Sequence, residues 1–251
     1  MNDGSADKRL KLAKIYDVCK TKTPRLTVVL IHGVATDSKS FDGLIKYLDG
    51  KDSVSDIRFV AFDLLGAGKS YTSDDLNYDF KEQLEALDNS IQELNIKTPL
   101  IIIAHSMGTM IAARYANKHR DLVNELILVS PPIYRKEDIK NPMFKKAMDG
   151  FKEIVSHKDH NIVKTKAFNN EINLIISNLE NYDHFAKLIQ PTHIIYGELD
   201  KFIAPLNIPG LLKKNQNMTA TKTIGPHGVT RDKYDKILGI LEKALKSKEA
   251  A

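Results

Sequence analysis

The sequence predicts a doubly wound α/β fold, and two observations indicate it. Five short runs rich in Val, Ile and Leu are separated by segments with helical periodicity. Continuous apolar runs of this length are typical of strands that are buried on both faces of a parallel sheet. Strands and helices alternate along most of the 251 residues, so we expect one α/β core domain.

The predicted elements follow from these runs and from the apolar stripes between them. The strand runs are LTVVLI (26–31), IRFVAF (57–62), PLIIIA (99–104), ELILVS (125–130) and THIIYG (192–197). A less apolar run, MTATKTI (218–224), is expected at a sheet edge. Steps of three and four residues predict two amphipathic helices, one carrying Phe80, Leu84, Leu87, Ile91 and Leu94 and one carrying Tyr234, Ile237, Leu238, Leu241 and Leu245.

One region interrupts the alternation. Between Ile133 and Ile189 no strand is apparent, and the segments NPMFKKAMDGFKEIVSH and NNEINLIISNLENYDHFAKLI have helical patterns. We therefore expect a core of residues 1–132 and 190–251 and a helical cap of residues 133–189. Ligands of open α/β sheets bind beyond the carboxyl ends of the strands. The cap leaves the sheet from that same edge.

Composition excludes several classes of protein. The net charge of +5 is spread along the chain. Nucleic-acid binding requires a concentrated basic patch, so no nucleic-acid partner is expected. The single cysteine, Cys19, allows no intrachain disulfide. No apolar run approaches the ~20 residues of a membrane span, and the first residues lack the apolar region of a secretory signal. We expect a cytoplasmic protein.

The stretch FDLLGAGKSY (62–71) ends like a phosphate-binding loop, in Gly-Lys-Ser. A phosphate-binding loop needs G-x-x-x-x-G-K-[ST], and the residue five before Gly68 is Asp63. A carboxylate at that place would repel phosphate. The sequence therefore argues against nucleotide binding.

A different loop indicates nucleophilic catalysis. The strand PLIIIA leads into Ala104-His105-Ser106-Met107-Gly108, and a helical pattern follows at once. Strand, sharp turn and helix around G-x-S-x-G form a nucleophile elbow, in which the residues two away from the serine must be small. Gly108 meets this need, and Ala104 replaces the first glycine. The backbone N–H of Met107 is then a candidate oxyanion donor.

An acid and a base follow in the required order. Asp200 lies just after the strand THIIYG, and His227 lies in a Gly-Pro-His-Gly loop after the last predicted strand. A histidine can activate a serine hydroxyl at neutral pH, and an acid can orient that histidine. The order Ser106, Asp200, His227 predicts a catalytic triad. Glu198 and Asp183 are rival acids, and Asp200 could instead cap a helix.

A second oxyanion donor is expected in the loop after the first predicted strand. His32-Gly33 ends that strand, and the backbone N–H of Val34 is the candidate donor. For His32 itself a structural role is favoured over a catalytic one.

Together these motifs resemble the α/β-hydrolase superfamily, in its small capped esterase/lipase-like branch. The resemblance covers residues 26–250 and rests on the early His-Gly, the elbow, Gly197 to Asp200, and the late histidine. Similar proteins also carry D-x-x-G-x-G-x-S, here Asp63 to Ser70, which the resemblance identifies as a tight turn near the site. The two leading antiparallel strands of the family have little room, and LKLAKIYDV supplies at most part of them.

The resulting expectation is a serine hydrolase that cleaves small to medium, mostly apolar carboxylic esters through an acyl-enzyme. It needs no cofactor or metal, although His157, Asp159 and His160 form a weak metal-like cluster. Its expected partner is the ester substrate alone, and it is a monomer or homodimer. Thioesterase, C–C hydrolase, lyase and peptidase chemistry remain alternatives, as does a non-catalytic ligand-binding protein. Arg135 is the candidate anchor for an acidic substrate.

Overall fold

The computed structural model describes residues 9–140, 165–178 and 180–247, together with the isolated positions 142, 146, 149, 150 and 153. The described residues form a seven-stranded sheet. Its strands are β1 (Ala13–Val18), β2 (Leu26–Ile31), β3 (Ile57–Asp63), β4 (Leu100–His105), β5 (Val123–Val129), β6 (Thr192–Gly197) and β7 (Met218–Thr223). Their spatial order is β1-β3-β2-β4-β5-β6-β7.

The strand predictions are confirmed by this sheet. Every residue of β2 and β4 is buried, as expected for strands covered on both faces. Six strands run parallel, with β2 between β3 and β4. The predicted edge strand, β7, lies at one edge of the sheet. The other edge is β1, which pairs antiparallel with β3, so the LKLAKIYDV segment does supply one leading strand.

The described helices are α1 (Asp42–Asp49), α2 (Phe80–Glu93), α3 (Met107–Lys118), α4 (Lys136–Ile139), α5 (Thr165–Ser177), α6 (Tyr182–Ala186), α7 (Asn207–Lys214) and α8 (Arg231–Ser247). Short 3₁₀ turns cover Ser38–Phe41 and Asp52–Val54. Both amphipathic helices predicted in the core are confirmed, as α2 and α8.

The core has two halves because alternate residues of each strand point to opposite faces. Val29 and Ile31 of β2 pack with α2 and α3, whereas Val28 and Leu30 pack with α1 and α8. Helix α5 joins the first half of the core, since Ala167, Phe168 and other apolar residues of its inner face are buried there.

The described part of the chain between β5 and β6 contains the helices α4, α5 and α6. The apolar residues Phe144, Met148, Phe151 and Ile154 of the first predicted helix lie outside the described residues, as do His157, Asp159 and His160. None of the helices in the described part of the chain has both the length and the apolar character needed to cross a bilayer.

The two ends of this inserted region are fastened to each other. Tyr134 and Glu180 form a parallel β-bridge. The Asn181 side chain accepts the N–H of Tyr134 at 3.0 Å and donates to the carbonyl oxygen of Pro132 at 2.6 Å. We call this the neck, defined as residues 132–134 and 180–182. The neck closes the insertion at the carboxyl edge of the sheet.

Candidate active site

Ser106 occupies a strained turn between β4 and α3. Its backbone has φ +50° and ψ −122°, a conformation that is rare for a residue with a side chain. Its N–H donates to the carbonyl oxygen of Val129 at 3.0 Å, which fastens the turn to β5. This geometry is that of a nucleophile elbow, which holds the serine out at the end of the sheet.

Gly108 is required by the close approach of α3 to β2. A Cβ atom at this position would lie 2.4 Å from the His32 carbonyl oxygen and 2.6 Å from that of Ile31. Such distances are far below van der Waals contact. Ala104, the residue on the other side of the elbow, is fully buried, so its methyl group is accommodated.

The structure brings Ser106, His227 and Asp200 together. The His227 Nε2 atom lies 2.8 Å from Ser106 Oγ. The Nδ1 atom lies 2.9 Å from both carboxylate oxygens of Asp200. Because Nδ1 faces a carboxylate, it carries the proton and donates it, which leaves Nε2 to accept the serine hydroxyl.

Asp200 is held in its ionised form. Burial opposes ionisation of its carboxylate, but the hydrogen bonds from His227 and from the Phe202 N–H outweigh burial and lower the pKa of Asp200. The bond from Phe202 lies in a turn, and the following helix begins only at Asn207 with Leu206 as its N-cap, so the alternative role of Asp200 as a helix cap is wrong. The rivals Glu198 and Asp183 are exposed and pair with Lys222 and Lys214.

Met107 follows the serine in the chain, and Val34 lies in the loop that passes beside it. Met107 begins α3, where a backbone N–H has no partner within the helix. A Cβ atom added at Gly33, the residue before Val34, would lie 3.0 Å from Ser106 Cβ. Both residues are buried. The loop after β2 therefore runs beside the nucleophile, where a second donor is expected.

His32 is structural, as the sequence favoured. It is fully buried, and burial lowers its pKa. Its Nε2 accepts the Leu64 N–H at 2.8 Å, so Nδ1 holds the proton and donates to the Gly33 carbonyl oxygen at 2.8 Å. The neutral ring thus joins the loop after β2 to the loop after β3.

The loop from Asp63 to Ser70 folds around the carboxylate of its first residue, Asp63. Asp63 accepts the N–H of Lys69 at 2.8 Å and that of Ser38 at 2.9 Å. Gly66 and Gly68 have positive φ angles, as a tight turn needs. Ser70 donates to the Asp63 carbonyl oxygen and accepts the Ala13 N–H of β1. The carboxylate occupies the loop, which excludes a phosphate cradle of the Walker type.

Two residues that sequence reasoning missed hold the histidine loop. His105 Nε2 donates to the His227 carbonyl oxygen at 2.8 Å, and burial together with nearby His227 lowers the pKa of His105 to about 3. Lys233, fully buried in α8, donates to the Pro226 carbonyl oxygen at 2.7 Å and to Thr230 Oγ1 at 3.1 Å. The sequence feature that could have identified Lys233 is its position on the apolar stripe of α8, four residues before Ile237.

The other sequence candidates lie elsewhere. The Arg135 guanidinium stacks on the Tyr182 ring at 4.4 Å and lies against Gly210 of α7. That position is at the neck rather than beside the serine. Within the described ranges, no group of three or more His, Cys, Asp or Glu side chains is arranged to hold a metal ion.

Comparison with known proteins adds curated relatives that match part of the chain. The chain is 34% identical over 123 residues to the Arabidopsis thaliana protein named "Probable lysophospholipase BODYGUARD 2", which covers 49% of this chain and 26% of the relative. It is 27% identical over 115 residues to the cis-3-alkyl-4-alkyloxetan-2-one decarboxylase of Shewanella oneidensis, covering 45% of this chain and 35% of that protein. The chain thus spans about a quarter to a third of these relatives' lengths.

Solved structures match nearly the whole chain. An esterase from Exiguobacterium antarcticum has a TM-score of 0.70 at 19% identity and covers 94% of this chain and 96% of its own. A monoacylglycerol lipase from Paleococcus ferrophilus has a TM-score of 0.64 at 19% identity, with coverages of 95% and 99%. At these identities the likeness shows the fold.

A family model settles the classification. The model described as alpha/beta hydrolase fold matches residues 27–153, just over half of the chain. The matched range includes the loop after β2, the Asp63 loop and the serine elbow, and it agrees with the sheet order and with the solved structures. The chain therefore belongs to the α/β-hydrolase fold family.

Proposed function

We propose that this protein is a serine hydrolase that cleaves carboxylic esters through an acyl-enzyme. The observation that carries the proposal is the position of His227, whose two ring nitrogens lie 2.8 Å from Ser106 Oγ and 2.9 Å from the Asp200 carboxylate. A base that is already hydrogen-bonded to the nucleophile and oriented by an acid is the arrangement that acyl transfer needs.

The mechanism follows from these distances. His227 Nε2 takes the Ser106 proton as Oγ attacks the ester carbonyl carbon. The carbonyl oxygen becomes an oxyanion, which the N–H groups of Val34 and Met107 stabilise. The intermediate collapses, the acyl–oxygen bond breaks, and His227 returns the proton to the leaving alkoxide. Water then attacks the acyl-serine by the same proton transfers and releases the acid.

The substrate is proposed from the inserted region. Residues 133–189 are the expected cap, and the buried face of its described helix α5 is mostly apolar. An apolar cap favours a small to medium, mostly apolar ester as the substrate. The lysophospholipase names of the Arabidopsis relatives add a single-chain glycerolipid ester as a second substrate to test. Arg135 is already stacked on Tyr182, which favours uncharged over acidic substrates.

The test is hydrolysis of p-nitrophenyl esters of increasing acyl length, with a monoacyl glycerolipid and a thioester in the same panel. Ser106→Ala and His227→Ala are expected to lower kcat by several orders of magnitude, and Asp200→Asn by about 10⁴. Ser177→Ala removes an exposed hydroxyl and serves as the matched control.

A fluorophosphonate probe separates the outcomes. If Ser106 reacts with the probe but no ester is hydrolysed, the nucleophile stands and the substrate class is wrong. If thioesters are preferred over oxygen esters, the thioesterase alternative replaces the esterase. If Ser106 does not react at all, the protein is not a serine hydrolase.

A further inference from the structure

Glu171 is an acid on the buried face of the cap helix α5. It is fully buried, and the other buried residues described on this helix are apolar: Ala167, Phe168, Ile172, Leu174 and Ile175. An amphipathic helix normally places an apolar residue at such a position. A polar group that departs from the pattern in this way is expected at a functional site.

The neighbours of Glu171 are the loops of the candidate active site. One turn earlier on α5, Ala167 packs closely on the Asp63 loop. A Cβ atom added at Gly66 of that loop would lie only 2.3 Å from the Cβ atom of Ala167. Residues four apart share a helix face. Accordingly, the Glu171 Oε2 atom accepts the Ala35 N–H at 3.4 Å. Ala35 has φ +54° and directly follows Val34, the proposed oxyanion donor.

No cation compensates this carboxyl among the described residues. The Oε1 atom of Glu171 is buried and has no hydrogen-bond partner there. Burial raises the pKa of Glu171 to about 8, and the Ala35 N–H opposes this effect. Titratable groups on the two neighbouring loops, such as His32, Asp37, Asp63, Lys69 and Tyr78, are not among the causes of this shift. Burial therefore favours the uncharged form of this carboxyl group.

We propose that Glu171 is a positioning residue, a buried carboxyl group through which α5 holds the loop that carries the Val34 N–H. The inference rests on the proposed function, because it concerns the oxyanion of that reaction. An uncharged acid leaves the loop able to stabilise negative charge. An ionised carboxylate beside the loop would repel the oxyanion, and the rate would fall. The cap thus acts on the chemical step as well as on substrate binding.

The test compares Glu171→Gln with the parent between pH 6 and pH 9.5. Two rates are measured, kcat for a p-nitrophenyl ester and the rate of fluorophosphonate labelling of Ser106. In the parent, both are expected to fall about tenfold above pH 8 with little change in KM. The glutamine carbonyl still accepts the Ala35 N–H but cannot ionise, so the alkaline fall is expected to disappear.

Two further variants isolate the hydrogen bond. Glu171→Met keeps the volume but removes the acceptor, and we expect kcat to be about tenfold lower at every pH, with KM unchanged. Asn169→Ala changes an exposed residue of the same helix and is expected to keep the parent profile.

The outcomes are distinguishable. An alkaline fall that persists in Glu171→Gln, or a parent without such a fall, overturns the role of Glu171 while leaving the serine hydrolase intact. A parent in which Ser106 is not labelled overturns the proposed function and, with it, this role. If Glu171→Met does not fold, the glutamine profile alone decides.

Discussion

Gly108 shows how the absence of one methyl group shapes the site. Its Cα faces the His32 carbonyl oxygen so closely that α3 begins directly against the end of β2. We expect Gly108→Ala to push the start of α3 away, moving Ser106 and the Met107 N–H. The free energy of unfolding should fall by about 1–3 kcal/mol, and kcat/KM by about 100-fold.

The matched variant is Ala104→Gly, which removes a methyl group on the other side of the elbow. It should keep most of the activity, because that methyl group is accommodated without strain. Urea unfolding and ester hydrolysis measure both effects. Equal unfolding midpoints and rates for Gly108→Ala and the parent would show that the contact is relieved elsewhere at no cost.

At the residue scale, the sequence predicted the groups whose chemistry follows from chain position. Ser106, Asp200 and His227 were identified because each follows a recognisable apolar run. Lys233 was missed although its contacts with Pro226 and Thr230 are local and its place on the apolar stripe of α8 marked it. His105 and Glu171 were missed for a physical reason, because each acts through a contact with a distant segment, as His105 does with the carbonyl oxygen of His227, 122 residues away. Sequence spacing carries no information about such contacts.

At the scale of elements, the loop before α8 is held by its carbonyl oxygens. Lys233 binds that of Pro226 and His105 binds that of His227. Burial lowers the pKa of Lys233, and its neighbours Asp232 and Asp200 oppose this effect. The buried Lys233 side chain therefore holds the backbone that presents His227, the proposed catalytic base.

Lys233→Met is expected to lower kcat about tenfold with KM unchanged, because the methionine fills the space but donates no hydrogen bond to Pro226. The unsatisfied carbonyl should also cost about 1–3 kcal/mol of stability. Steady-state kinetics and denaturant unfolding measure these effects. Lys236→Met, an exposed change on the same helix, is the control. A Lys233→Met enzyme with the kcat of the control would contradict the positioning role.

The ranges of the strands were easier to predict than which strands pair with each other in the sheet. The apolar runs gave the strands to within two residues, because buried parallel strands need continuous apolar sequence. The antiparallel β1 was only partly foreseen, since its burial is intermediate and its pairing partner β3 is distant. The N–H of Ala13, the first residue of β1, donates to the Ser70 hydroxyl, and that of Leu12, just before the strand, donates to the Ser90 hydroxyl. Neither serine stands out in the sequence.

At the scale of the whole molecule, buried titratable groups set the pH of maximum stability. His32 and His105 are neutral in the fold, with pKa values lowered from 6.5 by burial. Below about pH 6.5 the unfolded chain takes up protons there that the folded chain does not, so stability falls as pH falls. Glu171 acts in the opposite direction. Between 4.5 and about 8 only the folded chain keeps its proton, so stability falls as pH rises.

Below pH 6.5 the histidines oppose the one acid and outnumber it, since burial also lowers the pKa values of His119 and His184. Above pH 6.5 the histidines of the unfolded chain are mostly neutral, so the effect of Glu171 prevails. We therefore expect the free energy of unfolding to be greatest near pH 6.5 and about 1–2 kcal/mol lower at pH 8. Urea unfolding at pH 5, 6.5 and 8 measures the curve. Glu171→Gln should abolish the decline above pH 6.5. A decline of the same size in that variant would assign it to other groups.

The neck has a consequence for how proteins of this architecture diverge. Asn181 and the Tyr134–Glu180 bridge bring both ends of the insertion together at the sheet. The insertion is therefore a loop whose two ends are joined at the core. The entropic cost of closing such a loop grows only slowly with its length. The neck therefore lets the length of the insertion change at little entropic cost, whereas the buried face of α5 packs on the core and contacts the loop after β2. We expect divergence to alter the chain between the neck and α5 more readily than either of these two contacts with the core.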